Sequence, residues 1–222
     1  RLGLLDQAVA GSKGPFVFLG DLVDRGPDSP GVLRTVLDLV EAGRARLVQS
    51  NHDDKLYRHF LGHDVRIGNA LGETLAQFDA APDRDKLIKR FLKTYEAAPP
   101  LIIEPPYIFA HGAIHADMLQ PEKEIAKLSK AKMRSLRFRA LYGEVDPTDH
   151  SDKPLRLANW IEDIPKDMTV VIGHESLSRE QPVWRKARSG GRALYLDTGC
   201  GKGGPLSYID LPKGKIGQIG AQ

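Results

Sequence analysis

The 222 residues are enough to bury a complete core in one domain, and 41% hydrophobic with 27% charged residues is the balance of an ordinary globular protein. A formal net charge of +3 is too small to imply a nucleic-acid partner by itself. The single cysteine, Cys200, excludes an internal disulfide and agrees with a reducing, cytoplasmic setting; no apolar run approaches the ~20 residues of a membrane helix, and no signal peptide stands out.

In chain order, Leu2, Leu5 and Val9 predict a helix over 1–10, broken over 11–15. Phe16 to Leu19 predicts a strand apolar on both faces, as buried parallel strands are. Ser29 as N-cap, Pro30 at the first helical position and Gly43 past the last turn delimit a helix with the stripe Val32, Leu33, Val36, Leu37 and Val40. Leu47-Val48 predicts the next parallel strand, and 53–98 is mostly helical up to Pro99-Pro100. Leu101–Ile103 and Tyr107–Ala110 flank Glu104-Pro105-Pro106 and predict two strands with a tight turn. Pro121–Leu141 predicts a basic helical segment, 145–153 a polar loop and Leu155–Ile164 a short helix. Thr169–Ile172 and Ala193–Leu196 predict strands, and Leu206–Leu211 the last one; no repeat divides the chain. This predicts one α/β domain over 1–222, with 54–98 and 115–160 as rim segments over the strand ends.

The unusual polar residues gather where ligands sit in α/β folds, at the carboxyl ends of strands. Predicted strands run into Asp21, Asn51, His111 and His174, and a further one into Asp197. A bridging carboxylate, an amide oxygen and two imidazoles suit Mn²⁺ first, with Fe or Zn²⁺ as alternatives, better than Ca²⁺. Two such cations about 3.5–4 Å apart clamp a phosphate and generate a bound hydroxide near neutral pH. A lone histidine after a strand is more simply a satisfied core residue; four such residues at four strand ends are not explained that way. His52, next to Asn51, is the candidate general acid, with Asp24 raising its pKa; the plainer reading is a surface ion pair. Arg25, between Asp24 and the Gly26-Pro27 turn, is the candidate phosphate clamp. Asp197 either orients a metal ligand from behind or caps the turn at Thr198-Gly199. Gly199–Gly204 reads as a turn, because the next element is a strand rather than a helix. The basic run Lys123, Lys127, Lys130, Lys132, Arg134, Arg137 and Arg139 reads as a solvated helix face, or more sharply as a rim that attracts anions.

Gly20-Asp21-Leu22-Val23-Asp24-Arg25-Gly26, Asn51-His52-Asp53, Ala110-His111-Gly112 and Gly173-His174, in this order, resemble the calcineurin-like metallophosphoesterases. The resemblance covers nearly the whole chain. It is nearest to the phosphoprotein-phosphatase-like branch, which includes serine/threonine phosphatases, diadenosine tetraphosphatases and the phosphatase module of polynucleotide kinase-phosphatase. Leu141-Tyr142-Gly143-Glu144 and Leu196-Asp197-Thr198-Gly199-Cys200 lean toward the nucleotide-acting members.

The resemblance implies a four-layer α-β-β-α sandwich with mixed sheets and a site for two divalent metal ions between them. By position, Asp21 is the bridging ligand, Asn51, His111 and His174 complete one metal's shell, His52 with Asp24 is the acid pair, and Arg25 binds phosphate. Three departures stand out. The family's Asp-x-His-Gly motif and its strand are not in this sequence. Arg1-Leu2-Gly3-Leu4-Leu5 resembles the stretch directly after that motif in the family, so the motif is expected upstream. Ser50 replaces the usual glycine before Asn51, which makes a tight backbone turn there less comfortable. Glu175-Ser176 comes after His174 in place of Thr-Pro. The expected activity is hydrolysis of phosphomonoesters, as by serine/threonine phosphatases, through attack of a metal-bound hydroxide on phosphorus. Alternatives are a dinucleoside-polyphosphate hydrolase, a polynucleotide-end phosphatase, or a non-catalytic phosphate-binding module. The partner is thus a phosphoprotein, a dinucleoside polyphosphate or a polynucleotide end, with no membrane.

Overall fold

The computed structural model describes residues 2–10, 12, 14–151 and 154–220. Arg1, Gly11 and Lys13 of the predicted first helix and break, and Asp152 and Lys153 of the predicted loop, lie outside these residues. Helix α1 (Leu2–Ala10) leads into β1 (Phe16–Phe18) and α2 (Ser29–Glu41). The cap of α2 is Asp28 rather than Ser29: its carboxylate accepts from the Gly31 N–H at 2.8 Å, which takes up one of the orphan donors of the first turn. Val32, Leu33, Val36, Leu37 and Leu39 are buried along α2, and Gly43 closes it at φ +67°.

Strand β2 (Ala45–Leu47) runs parallel to β1, Phe16 opposite Ala45. Helix α3 (Asn51–Phe60) begins two residues before the predicted helical stretch, because Ser50 caps it. Helices α4 (Asn69–Asp79) and α5 (Arg84–Ala97) come next, and with α2 and α3 they enclose Leu33, Leu37, Leu56, Leu71, Phe78, Leu87, Phe91 and Tyr95.

The hairpin of β3 (Leu101–Glu104) and β4 (Tyr107–Ala110) forms as predicted. The basic segment is two helices, α6 (Glu122–Ile125) and α7 (Lys130–Tyr142), separated where Ser129 caps α7 by accepting from Lys132 N–H. Its charges are not simply solvated. Arg137 donates to Gln49 Oε1 at 2.7 Å and to the buried Asp54 at 2.5 Å; Lys132 pairs with Asp117 and Arg139 with Glu144. A buried carboxylate needs such a partner.

The predicted helix at 155–164 is instead a short ladder of β5 (Glu144–Val145) and β6 (Arg156–Leu157), then a 3₁₀ turn at Asn159–Asp163. Glu144 accepts from the Trp160 N–H at 2.9 Å, and the indole of Trp160 is buried, which fixes the turn. Strands β7 (Thr169–Ile172), β8 (Val183–Lys186) and β9 (Arg192–Tyr195) complete a sheet of order β3-β4-β7-β9-β8. In it β4, β7 and β9 are parallel while β3 and β8 run antiparallel at the edges. Strand β10 (Leu206–Asp210) is not the last; β11 (Lys215–Ile219) pairs with it.

The period-2 alternation of the five-stranded sheet builds two cores. Ile108, Ala110, Val170, Ile172, Ala193 and Tyr195 pack under Trp160, Ile161 and Ile164. Phe109, Val171 and Leu194 face Val48, Val17, Leu19, Ile209 and Ile216 of the β1–β2 and β10–β11 pairs. On the far side of β1, Phe18 and Leu206 meet Leu5, Val32 and Val36 of α1 and α2. The layers are therefore helices, sheet, sheet and helical turns, the α-β-β-α arrangement with mixed sheets. Among the described residues no helix is long and apolar enough to cross a membrane.

Candidate functional site

The ends of β1, β2, β4 and β7 deliver their polar residues to one place. The loop after β1 is conformationally costly. Asp21, Asp24 and Arg25 have φ of +54°, +73° and +60°, and His174 after β7 has φ +62°. L-residues avoid this region, at a cost of order 1–3 kcal/mol each, unless their surroundings hold them there. Here the hold is explicit. Asp21 N–H donates to Ser50 Oγ at 2.9 Å, Leu22 N–H to Asp53 Oδ1 at 3.0 Å and Asp24 N–H to Thr74 Oγ1 at 3.2 Å. Ser50 itself has extended backbone, φ −134°, so no glycine is needed there, contrary to the sequence expectation. The glycine is needed opposite: a Cβ on Gly20, at φ +87°, would lie 2.2 Å from Ser50 Cβ.

Four ligand atoms face one another. His111 Nδ1 donates to the Leu19 carbonyl at 2.6 Å, which turns Nε2 inward. That Nε2 lies 2.9 Å from Asn51 Oδ1, 3.1 Å from His174 Nδ1 and 3.3 Å from Asp21 Oδ1; His174 Nδ1 is 3.1 Å from Asn51 Oδ1. With Nδ1 engaged by the Leu19 carbonyl, Nε2 of His111 is the ring nitrogen turned to a carboxylate oxygen and an amide oxygen, and lone pairs on such atoms repel. A cation among them resolves the conflict. The spacings match the ligand-to-ligand edges of about 3.0–3.4 Å expected for metal–ligand bonds near 2.1 Å. These residues therefore fit a divalent first-row metal ion such as Mn²⁺.

The electrostatics agree. Burial pushes the Asp21 carboxyl up, but His111, His52 and His174 around it outweigh burial and hold it below its ordinary value. Burial, with His111 alongside, pushes His174 down to about 3, leaving a neutral ring with a lone pair to give near pH 7. Burial, helped by Asp21, pushes Asp53 up to about 7, against its hydrogen bond from Ser50.

His52 and Asp24 form the expected pair, Nδ1 to Oδ2 at 2.5 Å, with side chains only 17% and 3% exposed. This is no surface ion pair. Burial lowers the His52 pKa, but the Asp24 hydrogen bond and the Asp21 charge raise it further than burial lowers it. Thr74 Oγ1 donates to the second Asp24 oxygen at 2.8 Å and fixes the carboxylate plane. Arg25 is exposed on the same loop and makes no ion pair among the described residues. Asp197 Oδ1 accepts from the Gly199 N–H at 2.7 Å, the turn cap that was one of its two expected roles. No hydrogen bond links it to the four ligand residues among the described residues.

Sequence reasoning missed the supporting residues. Ser50, Asp53 and Thr74 carried a signal only as cap and helix residues. Arg156, hidden in a predicted helix, lies on β6 beside His174: a Cβ on Gly143 would meet Arg156 Nη1 at 3.3 Å and His174 Cδ2 at 3.9 Å. It donates to the Tyr142 carbonyl, and its charge lowers the pKa of His174.

The model of the calcineurin-like phosphoesterase family matches residues 2–197. The chain is 33% identical over 203 residues to bis(5′-nucleosyl)-tetraphosphatase PrpE (asymmetrical) of Anoxybacillus flavithermus, covering 89% of this chain and 76% of that one. The protein of the same name from Geobacillus thermodenitrificans is 32% identical over 200 residues, 88% and 75% covered. A crystal structure provisionally assigned as a diadenosine tetraphosphatase superposes with a TM-score of 0.61 at 24% identity, covering 100% of this chain and 88% of its own, a likeness of fold. Joined to a partly buried cluster of one carboxylate, one amide and two imidazoles, these likenesses leave one conclusion: the chain belongs to the calcineurin-like phosphoesterase family and is a metal-dependent phosphoester hydrolase.

Proposed function

We propose that the chain hydrolyses dinucleoside polyphosphates. The sequence alone ranks phosphomonoesters first; the names of the relatives reverse that order. The observation that carries the chemistry is the convergence of Asp21, Asn51, His111 and His174 beside the His52–Asp24 pair. These four residues would hold a divalent cation, Mn²⁺ by our reading of the mixed donor set. Such an ion supplies charge for the phosphoryl oxygens and lowers the pKa of water. A second cation would need donors beyond these four.

The chain's own residues do the rest. Arg25, with its fork free on the loop, binds phosphoryl oxygens and offsets the charge that builds up on them. Asp24 holds His52 through Nδ1, so that the opposite ring nitrogen carries the proton toward the departing oxygen. Segments 54–98 and 115–160 form the rim: Lys55, Arg58, Asn69 and Leu71 from the first and Tyr142 from the second line a cleft of about 540 Å³ that also contains Asp24, Asn51 and His52.

The test is a side-by-side assay with Mn²⁺ of diadenosine tetraphosphate, phosphoserine peptides and 3′-phosphorylated oligonucleotides. We expect kcat/KM to be highest for diadenosine tetraphosphate. A higher value for the peptides or the oligonucleotides would overturn the proposal.

A further inference from the structure

Helix α7 carries an aromatic pair that the chemistry does not use, Tyr142 packing in part against the cluster of Met118, Leu136 and Leu141. Phe138 and Tyr142, one helical turn apart, stack with ring centroids 4.5 Å apart and planes 17° from parallel. Phe138 is 51% exposed, whereas Tyr142 is half-buried and lines the cleft next to His52. Phe138 is one of two large apolar side chains that α7 leaves exposed, Met133 being the other, and it is the one stacked on a residue of the cleft. The same cleft is cationic. Lys55 and Arg58 line it against Asp64, while Asp24 is already engaged by His52. Arg58 is held in place by the buried Asp54 at 2.8 Å and lies against the Tyr142 hydroxyl. The first turn of α4 lines the cleft as well, and Gly68 gives it no side-chain cap, so its leading N–H groups keep their capacity for an anion.

We propose that this cleft is a nucleotide subsite: Tyr142, backed by Phe138, stacks a nucleobase, while Lys55 and Arg58 bind the phosphates beyond the one attacked at the Asp21–His174 cluster. The inference rests on the dinucleoside-polyphosphate reading and extends it, because a phosphoprotein would bring neither a base for the ring nor further phosphates for the cations. The lining suits the ligand: Asn51, His52, Lys55 and Arg58 follow one another along α3, and Arg58 lies against Tyr142. A volume of about 540 Å³ lies in the range of small-molecule sites. Stacking on an aromatic ring is tolerant of base identity, so the subsite selects nucleotides as a class. Phe138 does not itself hold the ligand; it sets the plane of the Tyr142 ring.

The test uses full-length protein loaded with Mn²⁺ and the variants Tyr142→Leu, Phe138→Ala and Lys55→Ala, with diadenosine tetraphosphate and inorganic tripolyphosphate as substrates. Stacking energies of this kind predict that Tyr142→Leu raises KM for diadenosine tetraphosphate about 5- to 100-fold, the loss falling on KM and not kcat. The loss on tripolyphosphate, which has no base, is less than about twofold. Phe138→Ala, at an exposed position where folding is not at stake, gives a smaller loss of the same kind. Lys55→Ala raises KM for both substrates. Equal losses on both substrates for Tyr142→Leu, or none, overturn the base platform. Titration calorimetry with ATP and no divalent cation separates this proposal from the activity reading. If wild type binds ATP and Tyr142→Leu binds it at least fivefold more weakly, the subsite stands even where diadenosine tetraphosphate is not the preferred substrate; equal affinities overturn it.

Discussion

A methyl group at position 20 has nowhere to go. It would sit 2.2 Å from Ser50 Cβ in a backbone conformation, φ +87°, that already disfavours any side chain. Gly20→Ala is therefore expected to destabilise the protein by about 2–4 kcal/mol in denaturant unfolding, conformation and clash together. Removing the obstacle should return part of this. In the Gly20→Ala/Ser50→Gly double variant the two costs should not add, and strict additivity would show that the clash is not the cause. His52 carries the second residue-scale expectation. If it protonates the departing oxygen, His52→Ala should slow hydrolysis of an alkyl phosphate about 10²–10⁴-fold, while p-nitrophenyl phosphate, whose leaving group needs little help, loses far less. Equal losses on the two esters would remove the acid role from His52.

Between elements, the helical layer is tied together by charges on its rim. Arg34 of α2 donates to Asp83 at the head of α5 at 3.0 and 2.5 Å, and Arg90 of α5 reaches back to Asp38 and Glu41 of α2 at 2.6 and 2.8 Å. The Arg34 hydrogen bond holds the Asp83 carboxyl below its ordinary value, and the Arg90 hydrogen bond does the same for Glu41. Folded pKa values below the unfolded ones mean that this stability is present above the unfolded value and is lost as pH falls through the folded one. Melting curves of wild type should therefore drop more steeply from about pH 5 to pH 3 than those of an Arg34→Ala/Arg90→Ala variant, and parallel curves would show that the bridges contribute nothing. The same elements show what was legible in the sequence. Helix α2 and strands β4 and β7 were readable because their own apolar periodicity matches their burial. Strand β8, Val-Trp-Arg-Lys at a sheet edge, exposes three of its four residues, and β11 has a glycine at its centre, so neither carries a clear period. The β5–β6 ladder depends on a contact across a polar loop, between Asp146 N–H and the Leu155 carbonyl, that no local pattern encodes. The four candidate ligands were legible because each lies one to four residues past the end of a strand, while Arg156 was not, because its place beside His174 is set by that ladder.

Across the whole molecule the ligand cluster is a joint between two sheets. Asp21 and Asn51 come from the β1–β2 side, His111 and His174 from the five-stranded sheet, and the residues that meet are up to 153 positions apart in the chain (174 − 21). A cation that binds them gains affinity only in the folded state, since the unfolded chain scatters them. Its binding energy is therefore stability. At a free Mn²⁺ concentration 100 times the dissociation constant, the gain is about 2.7 kcal/mol, which for a chain of this length corresponds to a rise in Tm of roughly 5–11 °C. Chelation with EDTA should reverse it. The decisive arms take one ligand from each sheet: Asn51→Ala and His174→Ala should each lose most of the Mn²⁺-dependent rise, because either one opens the joint. If the rise survives in both variants, the cation binds elsewhere and the two sheets do not share it.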